Sequence, residues 1–280
     1  MKKSYLLLSA SLLLAATACD SQRQAQEAET QEPVAAAVEE SGPAPAGEVM
    51  SKGDLRVYAF DDTQNYPEAQ LQLTTPAAGS TVEPGPVEFN YNLSNYELTR
   101  MTPHDNAEHL ANSHQGQHIH NIVDNEPYTA HYETKFTKDL KEGNHVILSF
   151  LSRSYHESLK HKGAYDLRVV TAGNPAEKSD FNPEGQHMFY SRPKGEYVGP
   201  ETEKVMLDFY LVNTELAPDG NKVRATINGN EFMLDRWLPY ILEGLPMGEN
   251  TIKLELVDSN GKVIPGPFNT VERTFTLKES

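Results

Sequence analysis

The sequence predicts an all-β protein, and three observations carry the prediction. Hydrophobic and polar residues alternate at period two in short runs, and the runs are split by Pro, Gly, Asn and Asp turn residues. Helical periodicity is nearly absent, the best candidate being a short turn near 104–113. The chain also repeats itself: VEFNYNLSNYELT (87–99) matches VMLDFYLVNTELA (205–217), GQHIHNIVDNE (116–126) matches GNKVRATINGNE (220–231), and LKEGNHVILSFL (140–151) matches LPMGENTIKLEL (245–256).

Matches in this order and at this spacing describe a duplicated domain. Each copy has roughly 100 residues, the usual size of an immunoglobulin-like sandwich. The expected fold is therefore two tandem immunoglobulin-like β-sandwich domains following a disordered tether.

The N-terminus predicts export. Lys2 and Lys3 precede an apolar run from Tyr5 to Ala16, too short to span a bilayer, and Ala16-Thr17-Ala18 supplies small residues before Cys19. Residues 1–18 thus form a signal peptide. The pattern resembles the lipobox of bacterial lipoproteins, with Ala16 where Leu is usual, which implies acylation of Cys19 and anchoring to the outer membrane. Ala-x-Ala also fits an ordinary secretory cleavage site. Cys19 is the only cysteine, so no disulfide supports the fold.

Residues 19–53 form the expected acidic tether. Between 20 and 48 there are seven acids, one Arg and no aromatic residue, too little apolar area to offset the entropy of ordering. As a coil it would reach roughly 30 Å. The first domain is assigned to 54–173. Leu55, Val57 and Ala59 alternate with Arg56, Tyr58 and Phe60, and Val87, Phe89, Tyr91 and Leu93 alternate with Glu88, Asn90, Asn92 and Ser94. The pattern returns at 118–123, 145–151 and 165–170. Near Gly173-Asn174-Pro175 the chain turns polar, and the second domain, 174–280, alternates at 205–212, 222–227, 251–257 and 271–277.

The whole chain carries a formal charge of -16. Such a field argues against nucleic acid and anionic membrane surfaces and favours cations; its commoner use is solubility.

Histidine is the informative residue. Nine of ten lie between His104 and His161, and the tenth, His187, lies just past the domain break, so the second copy of the fold has no counterpart of the nine. His118 and His120 are two apart on a predicted strand and share a face. Their counterparts Lys222 and Arg224 belong outside, with Val223, Ala225 and Ile227 inside, so Ile119 and Val123 fill the core and the histidines face out. His-x-His on a strand suits zinc or copper, given a third ligand from elsewhere. His131, on the strand after the Asp124-Asn125 turn, is the first candidate, and His156 a further one. His104, Asp105, His109 and His114, in an insertion without counterpart, are possible caps; a polar loop is the plain alternative. His145 matches Asn250 and reads as a structural residue at a strand edge.

A second constellation is SRSYHESLKHK (152–162), where the second copy has the hairpin turn DSNGK. Ser152, Arg153, Ser154, His156, Ser158 and Lys160 offer donors for a small anion or phosphorylated peptide. Arg153 paired with Glu157 in a self-satisfied loop is the alternative. Trp237, Pro239 and Tyr240 suit either an aromatic patch for sugar or protein, or core packing, the latter being favoured.

Motifs for catalysis are missing: there is no Gly-x-Ser-x-Gly, His-Glu-x-x-His or phosphate-binding glycine loop. Three histidines and a water would suffice for a zinc hydrolase, but tethered sandwich domains are more often binding modules. A spacer or subunit of an envelope complex is the structural alternative. HIHNIVDNEPY, FLSRSYHES and VIPGPFN give residues 54–278 a resemblance to Bacteroidota lipoproteins with tandem immunoglobulin-like domains, some of them called phosphopeptide-binding. The resemblance implies a surface or periplasmic binding protein.

Overall fold

The computed structural model describes residues 45–60, 66–103, 109–177 and 179–279. Signal peptide, Cys19, most of the expected tether, His104 and Asp105 lie outside the described residues. No helix among the described residues is long and apolar enough to cross a membrane.

The first sandwich is built from β3 (Gln70–Thr75), β4 (Thr81–Val82), β5 (Gly85–Ser94), β6 (His118–Val123), β7 (Thr129–His131), β8 (Lys135–Leu140), β9 (Gly143–Ser152) and β10 (Tyr165–Ala172). The second uses β11 (His187–Arg192), β12 (Gly195–Val198), β13 (Val205–Val212), β14 (Lys222–Ile227), β15 (Asn230–Leu234), β16 (Tyr240–Glu243), β17 (Gly248–Val257) and β18 (Thr270–Lys278). Two strands precede them, β1 (Pro45–Lys52) and β2 (Leu55–Phe60).

The two sandwiches repeat strand for strand. Order β3-β5-β8 facing β4-β10-β9-β6-β7 becomes β11-β13-β16 facing β12-β18-β17-β14-β15. In each, the short strand pairs in parallel with the last one. This is the immunoglobulin-like arrangement expected from the duplication.

The N-terminal segment departs from expectation. Residues 45–52, assigned to the tether, form β1 and pair with β2. β2, assigned to the first domain, pairs with β16 of the second: Tyr240 opposes Ala59 and Leu242 opposes Val57. The alternation was informative about facing, since Leu55, Val57 and Ala59 are buried in the second domain's core. It could not say which domain would receive them. The exposed edge of β16 needed a partner, and the hairpin supplies one.

Residues 41–280 form one compact unit, and three successive cores explain why. Phe89, Ile119, Ile147 and Leu151 fill the first sandwich. Leu207, Phe209, Val223 and Leu254 fill the second. Between them, Ile122, Leu148 and Phe150 of the first meet Phe189, Tyr210 and Val212 of the second. Tyr58, Phe60 and Met206 continue this contact against Leu110 and Tyr155. The sheet containing β6 and β9 is thus covered on both faces. All eight residues of β13 are buried, the reason it reads as the near-continuous apolar run VMLDFYLV.

Candidate metal centre

β6 keeps a strict two-residue alternation. Ile119 points into the first core, while His118, His120 and Ile122 point out, toward the second domain. The prediction that the histidines leave their own core holds, but they are not exposed: both have 0% accessible surface. The interdomain contact buries the face that the sequence pattern assigns to solvent.

His118 Nε2 lies 2.9 Å from His120 Nε2 and 3.1 Å from His156 Nδ1. One nitrogen from each of the three rings fits within 4.8 Å, so the set has the donor count and convergence of a three-histidine site. Bonds of 2.0–2.1 Å to a tetrahedral ion would place such nitrogens about 3.3 Å apart, close to the two spacings made by His118. The tautomer of His118 is set by Gly116, whose carbonyl accepts from Nδ1 at 2.8 Å and leaves the lone pair of Nε2 facing the cluster. Gly116 has φ +83°, and a Cβ there would collide with the Thr99 carbonyl. Only glycine lets the 99–100 segment cover this end of the site.

Aromatic rings and cations complete the walls. Tyr128 stacks on His120 with centroids 3.5 Å apart, and Tyr132 lies 5.2 Å from His118. The Tyr128 hydroxyl is 3.4 Å from His156 Nδ1 and accepts from Arg192 Nε at 3.0 Å. Burial first, then the neighbouring imidazoles together with Arg192 and Lys194, hold the triad neutral: His118 is lowered to about 4, and His120 and His156 well below the ordinary imidazole value. His120 Nδ1 is buried without a hydrogen-bond partner among the described residues.

His156 arrives on an unusual backbone. The turn after β9 closes through Arg153 N to Glu157 O and His156 N to Arg153 O. The turn after β17 closes identically, through Asp258 N to Lys262 O and Gly261 N to Asp258 O. SRSYHES is therefore the DSNGK turn with other side chains rather than a replacement for it. His156 occupies the place of Gly261, and both are left-handed, at φ 71° and 77°. A histidine where the turn suits glycine is strained, and the surroundings hold it there. The second domain does much of the holding: Asp208 accepts from Ser158 N and Lys160 Nζ, and Tyr210 donates to the Leu159 carbonyl.

The other predicted site residues lie elsewhere. His131 is excluded by register: it opposes Ile119, so its side chain takes the opposite face of the sheet. There it stacks on Phe136 and contacts Thr129 Oγ1 at 2.7 Å. His109 and His114 do not join the cluster. His145 is structural, as its match to Asn250 predicts. It bonds Asp124 and the Lys141 carbonyl, where Asn250 bonds Asn228 and the Pro246 carbonyl.

The four anion-site candidates do not form an open site. Ser152, Arg153 and Ser154 are buried. Arg153 pairs with Glu157 at 3.2 Å, Ser154 is bonded to Thr102, and Lys160 pairs with Asp208 at 2.7 Å. A cavity of about 500 Å³ adjoins them, but both cations facing it are already neutralised. Trp237 packs on Tyr210 and donates to the Phe209 carbonyl, and Tyr240 is in the core, the packing role favoured for that group. Sequence reasoning missed Tyr128, Arg192, Lys194 and Asp208. Tyr128 ends the HIHNIVDNEPY motif; the other three come from the second domain, and no local pattern ties them to the first.

No family model and no curated protein matches this chain. Among solved structures it is similar to the fibronectin(III)-like modules of Clostridium thermocellum CbhA, at 10% identity and a TM-score of 0.27, covering 75% of this chain and 95% of that one. It is also similar to the Bacteroides ovatus mixed-linkage glucan utilization locus protein SGBP-B, in complex with a mixed-linkage heptasaccharide, at 8% identity and a TM-score of 0.24, covering 74% of this chain and 47% of that one. A two-domain fibronectin type-III segment of chicken tenascin is similar at 8% identity and a TM-score of 0.21, covering 74% and 98%.

Proposed function

We propose that this protein is an exported, lipid-anchored binding protein of the Bacteroidota envelope that holds a transition-metal ion, zinc or copper, at His118, His120 and His156. The observation that carries the reading is the convergence of three neutral imidazole nitrogens within 4.8 Å. Neutral imidazole is the form that ligates, and the surroundings keep it so far below neutral pH. The strained turn at His156 supports the same reading, because a purely structural turn would be served by glycine, as in the second domain. His118 and His120 are fully buried and His156 only partly, so an ion would enter past His156. Cys19, after Ala16-Thr17-Ala18, supports the anchor. Tethered sandwich domains are more often binding modules, and among the described residues no Asp, Glu or Cys joins the three imidazoles, which favours binding over hydrolysis.

Calorimetric titration of the full chain with zinc and copper, beside His118→Ala/His120→Ala and His156→Gly variants, tests the site. Near-stoichiometric binding lost in both variants is expected. Binding unchanged in both would overturn the assignment. His156→Gly keeps this informative even where the double variant folds poorly, because it restores the turn residue the second domain uses.

A further inference from the structure

The second domain sets cations beside the triad. Arg192 reaches it through the Tyr128 hydroxyl, two hydrogen bonds from His156 Nδ1. Lys194 Nζ lies 3.9 Å from the centre of the Tyr128 ring, the ring on which His120 stacks, and donates to the Tyr128 carbonyl at 2.8 Å. Arg273 stands behind Lys194, over the Tyr190 ring. Burial and the two arginines push the Lys194 ammonium down to about 8.

Several other cations of this acidic protein are paired, as Arg56 is with Glu243, Arg224 with Glu255 and Lys160 with Asp208. Among the described residues, Arg192, Lys194 and Arg273 form no ion pair. Glu201 and Glu126 act on Arg192 and Arg273 only at longer range. The buried carboxylate near Tyr128, Asp208, is already neutralised by Lys160. Among the described residues, no Asp, Glu or Cys stands among the converging ligand atoms.

We infer that the site selects its ion by charge and takes monovalent copper in preference to zinc or divalent copper. This rests on the metal reading above. Three neutral imidazoles bring no negative charge, so each positive charge on the ion is set directly against Arg192 and Lys194. Two hydrogen-bond lengths away, at an effective dielectric constant of about 20, one cation disfavours each added unit charge on the ion by roughly a hundredfold. A divalent ion meets that penalty twice, a monovalent ion once. Coordination number points the same way. Zinc completes a tetrahedron with a fourth ligand, commonly a water or an anion. Monovalent copper is content with two or three donors, and the fully buried rings of His118 and His120, roofed by Tyr128, leave little room for more.

The test is a competition. The full chain is titrated without oxygen with monovalent copper against bicinchoninate, and separately with zinc, with silver(I) as a redox-inert check of charge. One equivalent of copper(I) and of silver(I) is expected, at least a hundredfold tighter than zinc, and lost in His156→Gly. Lys194→Met removes a cation without touching a ligand, and should raise the zinc-to-copper(I) affinity ratio at least about tenfold, zinc gaining more than copper(I). Zinc binding as tightly as copper(I), again lost in His156→Gly, would overturn charge selection and leave the metal site standing. An unchanged zinc-to-copper ratio in Lys194→Met would overturn it as well. Failure of every ion to bind would take down the metal reading itself.

Discussion

Strands β6 and β14, and the turns that follow β9 and β17, hold the same places in two copies of one fold. On β14 the outward residues Lys222 and Arg224 are half-buried, and Arg224 pairs with Glu255 at 2.9 Å. On β6 the outward residues are His118 and His120, completely buried. The turn after β17 puts Gly261 at its left-handed position, and the turn after β9 puts His156 there. Backbone geometry is shared, so the scaffold does not explain the histidines. What differs is the cover. The outer face of the first five-stranded sheet packs on the second domain, and that packing leaves His118 and His120 fully buried and His156 partly so. The imidazoles of one copy are therefore gathered under cover that the other copy supplies.

The largest expected effect comes from breaking the contact that ties the His156 turn to the second domain. Asp208 is fully buried and accepts from Ser158 N and Lys160 Nζ. Asp208→Ala leaves the Lys160 ammonium almost buried without its counter-charge. Removing one partner of such a pair costs about 3–5 kcal/mol. Urea unfolding should show that loss, and metal affinity should fall with it, although residue 208 is on the other domain and touches no ligand. Full metal affinity in a folded Asp208→Ala protein would mean that the turn holds His156 unaided, and that the two domains are less coupled than their packing suggests.

Much of this was legible in the sequence, and the failures have physical causes. Alternation located β2, β5, β6, β9, β10, β13, β14, β17 and β18, because strands with one face in a core must alternate. The repeat assigned His118 and His120 to the outward face and His145 to a structural role. It missed β1 and the destination of β2, because edge pairing is decided by which sheet offers a free edge rather than by local pattern. It placed His131 beside the pair when a one-residue register difference turns that side chain to the other face. It offered Arg153 and Lys160 for an anion, with Arg153–Glu157 pairing as the alternative that the structure shows; Lys160's partner Asp208 lies on the other domain and becomes visible only once the chain is folded. Burial of the histidines was beyond period-two reasoning, which sees a single domain's inside and outside and nothing of a second domain docked on the outside.

Acid should reveal the same contrast. An unfolded histidine takes a proton near pH 6.5, whereas His118 in the fold resists it until about 4, and His120 and His156 resist it further. The unfolded state therefore binds more protons through this window. The stability these residues contribute is complete above about pH 6.5 and is lost as pH falls toward 4. For His118 alone the loss is roughly 3 kcal/mol. His131, lowered to about 4, adds in the same direction, and His145, raised by Asp124, acts in the opposite one. Urea midpoints followed from pH 7 to 4.5 should fall steeply, and a His118→Gln/His120→Gln protein should show a shallower slope. Equal slopes would mean that water and protons reach the triad freely, contrary to its burial.

The smallest effect on stability is also the one that separates function from fold most cleanly. Replacing His156 by the residue its counterpart already uses removes the cost of a left-handed β-carbon, about 1–2 kcal/mol, and adds back the greater entropy loss of glycine on folding, roughly 0.5–1 kcal/mol. The turn's own hydrogen bonds, Arg153 N to Glu157 O and His156 N to Arg153 O, are backbone bonds and survive the change. Metal-free His156→Gly protein should therefore be as stable as the parent or up to about 1 kcal/mol more stable, read from the thermal midpoint in the presence of chelator. With metal added the order should reverse, because only the parent gains ligand binding energy. A His156→Gly protein destabilised by several kcal/mol without metal would show that the imidazole serves packing at the domain contact, and would make the left-handed histidine a feature of the fold instead of the site.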